Sequence, residues 1–275
     1  VAGLRASFRQ ALDDQRVKAI VFDVDSPGGS TEGIAELADE IRAARGQKPM
    51  AAVANTLMAS AAYWLGVQAD EIVASPSSFV GSIGIVAMHQ DFSAMDEAAG
   101  VKTTLISAGK YKTEGSEYEP LSESGQAHIQ SLVDDAYDQF VGAVARGRGV
   151  PIADVRSGFG EGRVLSPPRA KAASLIDRID TLEGTIRRVL SQRLASSGSA
   201  TIEAGQPYLV GESGPELFRP QTGGQVLPIV TFTLAGPIPP HDSPAIADDD
   251  AEWDAGAEVA AAEGRTELRR MHVWV

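Results

Sequence analysis

Met50-Ala51-Ala52-Val53-Ala54-Asn55-Thr56-Leu57-Met58-Ala59-Ser60-Ala61-Ala62-Tyr63-Trp64-Leu65 decides how this chain is read. Its first five residues are an apolar run of strand length, and Asn55-Thr56 is turn chemistry that would close it. From Ala59 the residues are small, then apolar as far as Val67, with good helix formers among them. The pattern predicts a buried strand, a tight turn and a buried helix with Ser60 in its first turn. There, unpaired backbone N–H groups and the helix dipole both favour negative charge beside the hydroxyl. The plainer role for Ser60 is a helix N-cap, the usual task of a serine at a helix start.

Working outward, Ala19-Ile20-Val21-Phe22-Asp23-Val24-Asp25-Ser26-Pro27-Gly28-Gly29 reads as a strand running into a Pro-Gly-Gly turn. A helix over 1–16, apolar at Leu4, Phe8 and Leu12, precedes it. A second helix is expected over 31–45, with Ile34, Leu37, Ala38 and Ile41 on one face, Ser30 or Thr31 as its cap and Gly46 as its end. Beyond Ser60, strands are expected at 70–74, 80–86 and 101–107, with a short helix over 91–99. The 80–86 stretch is spaced by glycines, as where backbone packs against backbone. A long amphipathic helix over 122–146 carries Ile129, Leu132, Val133, Ala136, Phe140 and Val144 on a repeating face. A short helix over 151–157, a short strand at 162–166, a helix opened by Pro167-Pro168 and a helix over 182–194 follow. Strands alternating with helices at this spacing imply βαβ units and a largely parallel sheet. Right-handed crossovers then bring the turns bearing Gly29 and Ser60 to one sheet edge, where α/β folds hold ligands.

The 275 residues suffice for one sizeable core plus an appendage. There is no cysteine, which rules out disulfides, a thiolate nucleophile and thiolate metal sites. A net charge of −13 disfavours nucleic acid as a partner. No apolar run approaches the roughly 18 residues of a membrane span, and the first residues do not read as a signal peptide.

Three stretches taken in order carry a family likeness: strand-Ser26-Pro27-Gly28-Gly29, then Met58-Ala59-Ser60-Ala61-Ala62-Tyr63-Trp64, then Gly109-Lys110-Tyr111-Lys112. Together they resemble the signal peptide peptidase A family, serine proteases of the wider Clp-protease and crotonase superfamily that use a serine–lysine pair. The 52-residue separation of Ser60 from Lys112 fits that pair. The run 162–177 is similar to the family's closing segment, with Ser174 standing where glycine is usual. The resemblance covers about residues 1–195 and implies a ClpP/crotonase-like spiral of βαβ units and a further strand before the first helix that this stretch lacks; bacterial members of the family are usually membrane-anchored, so the lack of an apolar span points to a soluble relative. Residues 196–240 read as a Gly/Ser/Pro-rich linker, in which Gly211-Glu212-Ser213-Gly214-Pro215-Glu216-Leu217 resembles a motif of phage tape-measure proteins. A patch at 229–234 is expected as an isolated strand. Residues 241–275 form an acidic tail whose nine Asp or Glu and three Arg leave −6 of the −13, turning apolar at the end as if a further module began there.

A serine peptidase needs a nucleophile, a base and oxyanion donors. Ser60 is the candidate nucleophile. Of the four histidines, His128 falls on the long helix and His241 and His272 in the tail, so only His89 competes as base, with no acidic residue obviously placed to orient it. Lys112 is the better base. It must be neutral to accept a proton, a depression of about three units from about 10.4 that burial against apolar surface can supply. Lys110, two residues away, is its competitor. The resemblance assigns the oxyanion donors to the N–H groups of Gly29 and Ala61, where alanine replaces the usual glycine and keeps the N–H. This chemistry calls for no metal, nucleotide or other cofactor. The expected function is that of a serine endopeptidase acting on peptide or protein substrates, and the resemblance, to a family of ring-like homo-oligomers, implies a homo-oligomer. The acidic extension and tape-measure-like motif point to phage prohead maturation, with scaffold and capsid proteins cut in the host cytoplasm or the prohead. The alternatives are a bacterial signal-peptide-degrading peptidase, a crotonase-type acyl-CoA enzyme and a catalytically silent structural phage protein.

Overall fold

The computed structural model describes residues 1–197 together with segments 208–210, 216–218, 229–235 and 273–274. The linker, its tape-measure-like motif and the acidic tail otherwise lie outside the described residues.

In chain order the elements are α1 (Ala2–Asp13), β1 (Ala19–Ser26), α2 (Ile34–Ala43), β2 (Met50–Ala59), α3 (Ala61–Gly66), β3 (Glu71–Ala74), β4 (Phe79–Gly81), β5 (Val86–Ala87) and α4 (Ser93–Ala98). Then come α5 (Glu123–Arg148), α6 (Ile152–Gly158), β6 (Val164–Leu165), α7 (Pro167–Ala172), β7 (Arg178–Ile179), α8 (Leu182–Ser197), β8 (Tyr208–Val210), β9 (Glu216–Phe218), β10 (Ile229–Ala235) and β11 (Val273–Trp274). One sheet runs β6-β4-β2-β1-β10-β8-β9, with β3 on β2 and β7 on β3. Only the β4–β6 and β8–β9 pairs in it are antiparallel. The mixed α/β fold with a largely parallel sheet follows the expectation.

Alternation along the strands divides the core. Ile20, Phe22 and Val24 of β1, with Met50, Ala52 and Ala54 of β2, face a layer holding Phe8, Leu37, Ile41, Tyr63, Trp64, Phe140 and Val144. The intervening residues Val21, Val53 and Val73 face Leu182 and Ile186 of α8. Period-two burial on both faces puts helices on both sides of the sheet, which is why its strands read as nearly unbroken apolar runs.

Four local expectations are corrected. β2 does not stop at Asn55-Thr56 but continues to Ala59, because its outer edge changes partner. Residues Ala51 to Ala54 pair with β3, and Leu57 to Ala59 pair with β4. The two exposed polar residues sit at the changeover, where the register with β1 also shifts. The second helix begins at Ile34, with Gly33 at its N-cap in a left-handed conformation (φ 74°). Ser30 caps the preceding turn instead, accepting from the Glu32 N–H at 3.2 Å. Residues 101–107 form no strand; they are exposed and have no sheet neighbour among the described residues. β-propensity without a ladder partner does not make a strand. Finally, the segment at 229–235 is not isolated: it pairs in parallel with β1 over seven positions, from Ala19–Ile229 to Asp25–Ala235.

Candidate active site

Ser60 occupies the one-residue joint between β2 and α3, with φ 54° and ψ −122°. This is a strained backbone for a residue with a Cβ, at a cost of about 1–3 kcal/mol that the surroundings must hold in place. They do so from both sides. The Ser60 N–H donates to the Gly81 carbonyl at 2.9 Å, and its own carbonyl accepts from Trp64 N–H at 2.9 Å. The side chain makes no capping hydrogen bond, so the N-cap role expected of a serine here is not the one it fills. Ser60 is 3% exposed, at the mouth of an α3 whose six residues are all buried.

The register of β1 and β2 sets the neighbours. Ser26 stands opposite Met58, so the Gly28-Gly29 turn and Ser60 leave the sheet side by side at its carboxyl edge. Gly28 has φ 106°, a value only glycine adopts readily, and its N–H is held by the Ser26 hydroxyl at 3.2 Å. A Cβ built on Gly29 would meet nothing within 4 Å, so open space faces the turn. Ala61, the other expected donor, begins α3. Ser60, Gly29 and Ala61 are therefore gathered at one sheet edge.

Lys112 is placed differently. It lies in a run of turns, its N–H on the Gly109 carbonyl at 3.2 Å, with an exposed side chain. No hydrogen bond joins it to Ser60 among the described residues. Lys110 is exposed too, its amine 4.7 Å from the centroid of the Tyr111 ring. His89 turns an Nε2 to the Ser116 carbonyl at 3.0 Å, which anchors the loop rather than addressing Ser60. His128 is exposed on α5.

The scaffold beneath Ser60 is braced by polar contacts inside the core. Tyr63 donates its hydroxyl to the Leu175 carbonyl at 2.8 Å, and burial pushes its phenol up. The Trp64 and Phe140 rings stack with centroids 4.6 Å apart. A Cβ on Gly66 would come within 2.6 Å of Met58 Sδ, so this glycine lets α3 lie close on β2. Arg45 donates to the carbonyls of Val67, Gln68 and Ala69, closing the end of α3. Arg148 grips Asp177 through two hydrogen bonds of 2.8 and 2.9 Å, and Asp177 also accepts the Ile72 N–H.

One residue was missed in the sequence. Ser82 has φ 55° and directly follows Gly81, whose carbonyl holds Ser60. Its N–H donates to the Arg163 carbonyl, and a Cβ on Gly81 would lie 2.7 Å from that same oxygen. The Gly81-Ser82-Ile83-Gly84 spacing was the available signal, but it read as a glycine-spaced strand.

The model of the peptidase family S49 matches residues 42–195, the part that contains β2, α3, Lys112 and the Arg148–Asp177 brace. This chain belongs to peptidase family S49. Among similar proteins, one named as a protease in Methanocaldococcus jannaschii is 31% identical over 192 residues, 70% of this chain and 61% of its own length. The capsid assembly protease C of Escherichia phage lambda is 32% identical over 177 residues, 64% of this chain and 40% of its own. The head-tail preconnector protein GP5 of Enterobacteria phage P21 is 33% identical over 150 residues, 54% and 30% respectively. The chain thus spans less than two thirds of the length of these relatives. As an S49 member it has the expected relatives, one named a signal peptide peptidase in Enterococcus faecium and one named a capsid assembly protease in phage lambda. Among the described residues no helix is long and apolar enough to cross a membrane.

Proposed function

We propose that this S49 chain is a serine endopeptidase in which Ser60 attacks the peptide carbonyl and Lys112 takes the hydroxyl proton. The N–H groups of Gly29 and Ala61 hold the oxyanion. The tetrahedral species collapses to an acyl-Ser60 as the amine leaves with the proton carried by Lys112. Water, deprotonated by the same lysine, then releases the acid. The observation that carries this reading is the strained backbone of Ser60 beside the Gly28-Gly29 turn. A helix-capping role does not account for that conformation, because the side chain makes no capping hydrogen bond.

A neutral lysine needs a dry surrounding, and Lys112 is exposed in the single chain. The same segment carries Ile106, 95% exposed, and Tyr111. Association of copies that covers this segment supplies the missing desolvation, so the working form is a homo-oligomer. The phage relatives named for capsid assembly and head-tail preconnection support proteins of the prohead, scaffold or capsid as substrates, cut in the host cytoplasm or in the prohead itself. The test is casein and scaffold-protein cleavage by the wild-type chain and by Ser60→Ala. Cleavage by the wild type alone is expected, and equal cleavage by both, or by neither, removes the enzyme.

A further inference from the structure

β1 ends in the Ser26-Pro27-Gly28-Gly29 turn, so whatever holds the last residues of β1 also holds that turn. Its two flanks differ there. On the β2 side the register slips: Val24 stands opposite Ala54 and Ser26 opposite Met58, and Asp25 falls at the slip. On the β10 side the ladder runs seven positions without a shift, and its last pair is Asp25 with Ala235. An irregular ladder bends a strand and leaves a residue unpaired, whereas a regular one keeps it extended. At the step into the turn, β10 is the regular flank and β2 the irregular one. β10 is also the flank that comes from furthest along the chain. The described core layers draw on residues from Leu4 to Val189, and 31 residues separate the end of α8 at Ser197 from Ile229. The chain has no cysteine to staple the strand in place.

We propose that β10 is a detachable flank whose docking on β1 sets the Gly28-Gly29 turn, so that the carboxyl-terminal segment governs the oxyanion side of the site. This rests on the reading of Gly29 as an oxyanion donor. With β10 docked, β1 stays extended through Asp25 and the turn leaves the sheet beside Ser60. With β10 away, the turn keeps only the slipped flank, and the Gly29 N–H loses its fixed position. Ser60 keeps its own, because it is pinned through Gly81 of β4, on the far side of β2. The register also defines what the β1 edge selects. Val230, Phe232 and Leu234 stand opposite Ile20, Phe22 and Val24, which belong to the main core layer. The preferred occupant is thus a parallel strand with apolar residues at alternate positions.

The test starts from the full chain. Thr231→Pro with Phe232→Pro removes one N–H of each parity from β10, so one of the two faces β1. Hydrogen exchange over residues 24–30, read by mass spectrometry, should be about tenfold faster or more in the proline chain, with β2 changed by less than about twofold. In the Ser60→Ala background the proline chain should bind a fluorescein-labelled peptide of sequence 227–237, and saturating peptide should restore slow exchange at 24–30. The chain with β10 intact should bind that peptide about tenfold more weakly or worse, because its own strand competes. With Ser60 present, the prolines should lower kcat for casein about tenfold or more while KM stays within about twofold, the signature of a misplaced donor. A second chain makes the outcome independent of the prolines. It carries a site for a specific protease inserted between Ser199 and Ala200, and after cutting, residues 200–275 should stay with the core in gel filtration until excess 227–237 peptide displaces them. Exchange at 24–30 that is the same with the strand docked and undocked overturns the inference. So does a peptide that fails to slow exchange in the proline chain, or a cut tail that separates from a core whose turn exchanges as in the intact chain. The expected exchange and peptide results without hydrolysis by any chain keep the docked flank and sink the peptidase reading instead.

Discussion

The floor of the site and the arm that carries Lys112 are built on different physics. On the floor, β1, β2 and β4 are locked in one parallel ladder, Ser60 is pinned through the Gly81 carbonyl, and the glycine turn is set beside it by register. On the arm, residues 101–112 are exposed and have no sheet partner among the described residues. A nucleophile and oxyanion donors need fixed geometry, which a sheet edge provides in one chain. A lysine base needs desolvation, which an exposed arm gains only when something covers it. Under the proposed roles, the inflexible half of the chemistry lies in the fold and the conditional half on the surface.

The largest effect that would break this contrast comes from the arm. Lys112→Ala should lower kcat/KM for peptide cleavage by about 10²–10⁴-fold, the usual contribution of a general base, while Lys110→Ala stays within the wild-type order of magnitude. The reverse ranking would move the base two residues back.

The floor should respond in stability rather than chemistry. Arg148→Met leaves the half-buried Asp177 without its guanidinium, at a cost of about 2 kcal/mol once its partial exposure is allowed for. Burial opposes ionisation of Asp177, but the hydrogen bonds from Arg148 outweigh it and hold the carboxyl below the usual range. The stabilisation is therefore full above about pH 4, the unfolded carboxylate value, and is lost as pH falls through the depressed folded value. Urea melts across pH 2.5–7 should show that slope in the wild type and a flatter one in Arg148→Met.

The smallest expected effect sharpens the same point. Ser174 follows α7 with φ 64°, in a left-handed closing turn where Leu175 N–H reaches the Ala170 carbonyl and Ser174 N–H the Lys171 carbonyl. Glycine is the residue that geometry prefers. Ser174→Gly should stabilise by about 1 kcal/mol, a rise of about 2–4 °C in Tm, with peptidase activity unchanged.

The floor was legible in the sequence because its signals are local. Apolar runs, a Pro-Gly-Gly turn and a small-residue helix start each report their own backbone, and Ser174 in a glycine's place already marked the closing turn. Less was legible where geometry depends on distant partners. β2 runs through Asn55-Thr56 because β3 hands its edge to β4, and nothing within ten residues announces that exchange. The 101–107 stretch has strand-like composition but no strand beside it. Likewise, residues 229–235 look like a stray apolar patch until β1 is seen to pair with them. Ser60 could be chosen from its motif, yet its rare backbone and uncapped side chain, which set it apart from an ordinary cap, are visible only in three dimensions.

The account stands most directly on Ser60 being the residue that reacts. Incubating the full chain with a biotinylated peptidyl phosphonate and mapping the adduct by peptide mass spectrometry addresses that. The expected result is one covalent modification, on Ser60, that disappears in Ser60→Ala and is strongly slowed in Lys112→Ala. An adduct on another serine, or peptide hydrolysis that continues undiminished with Ser60 unmodified, would contradict it.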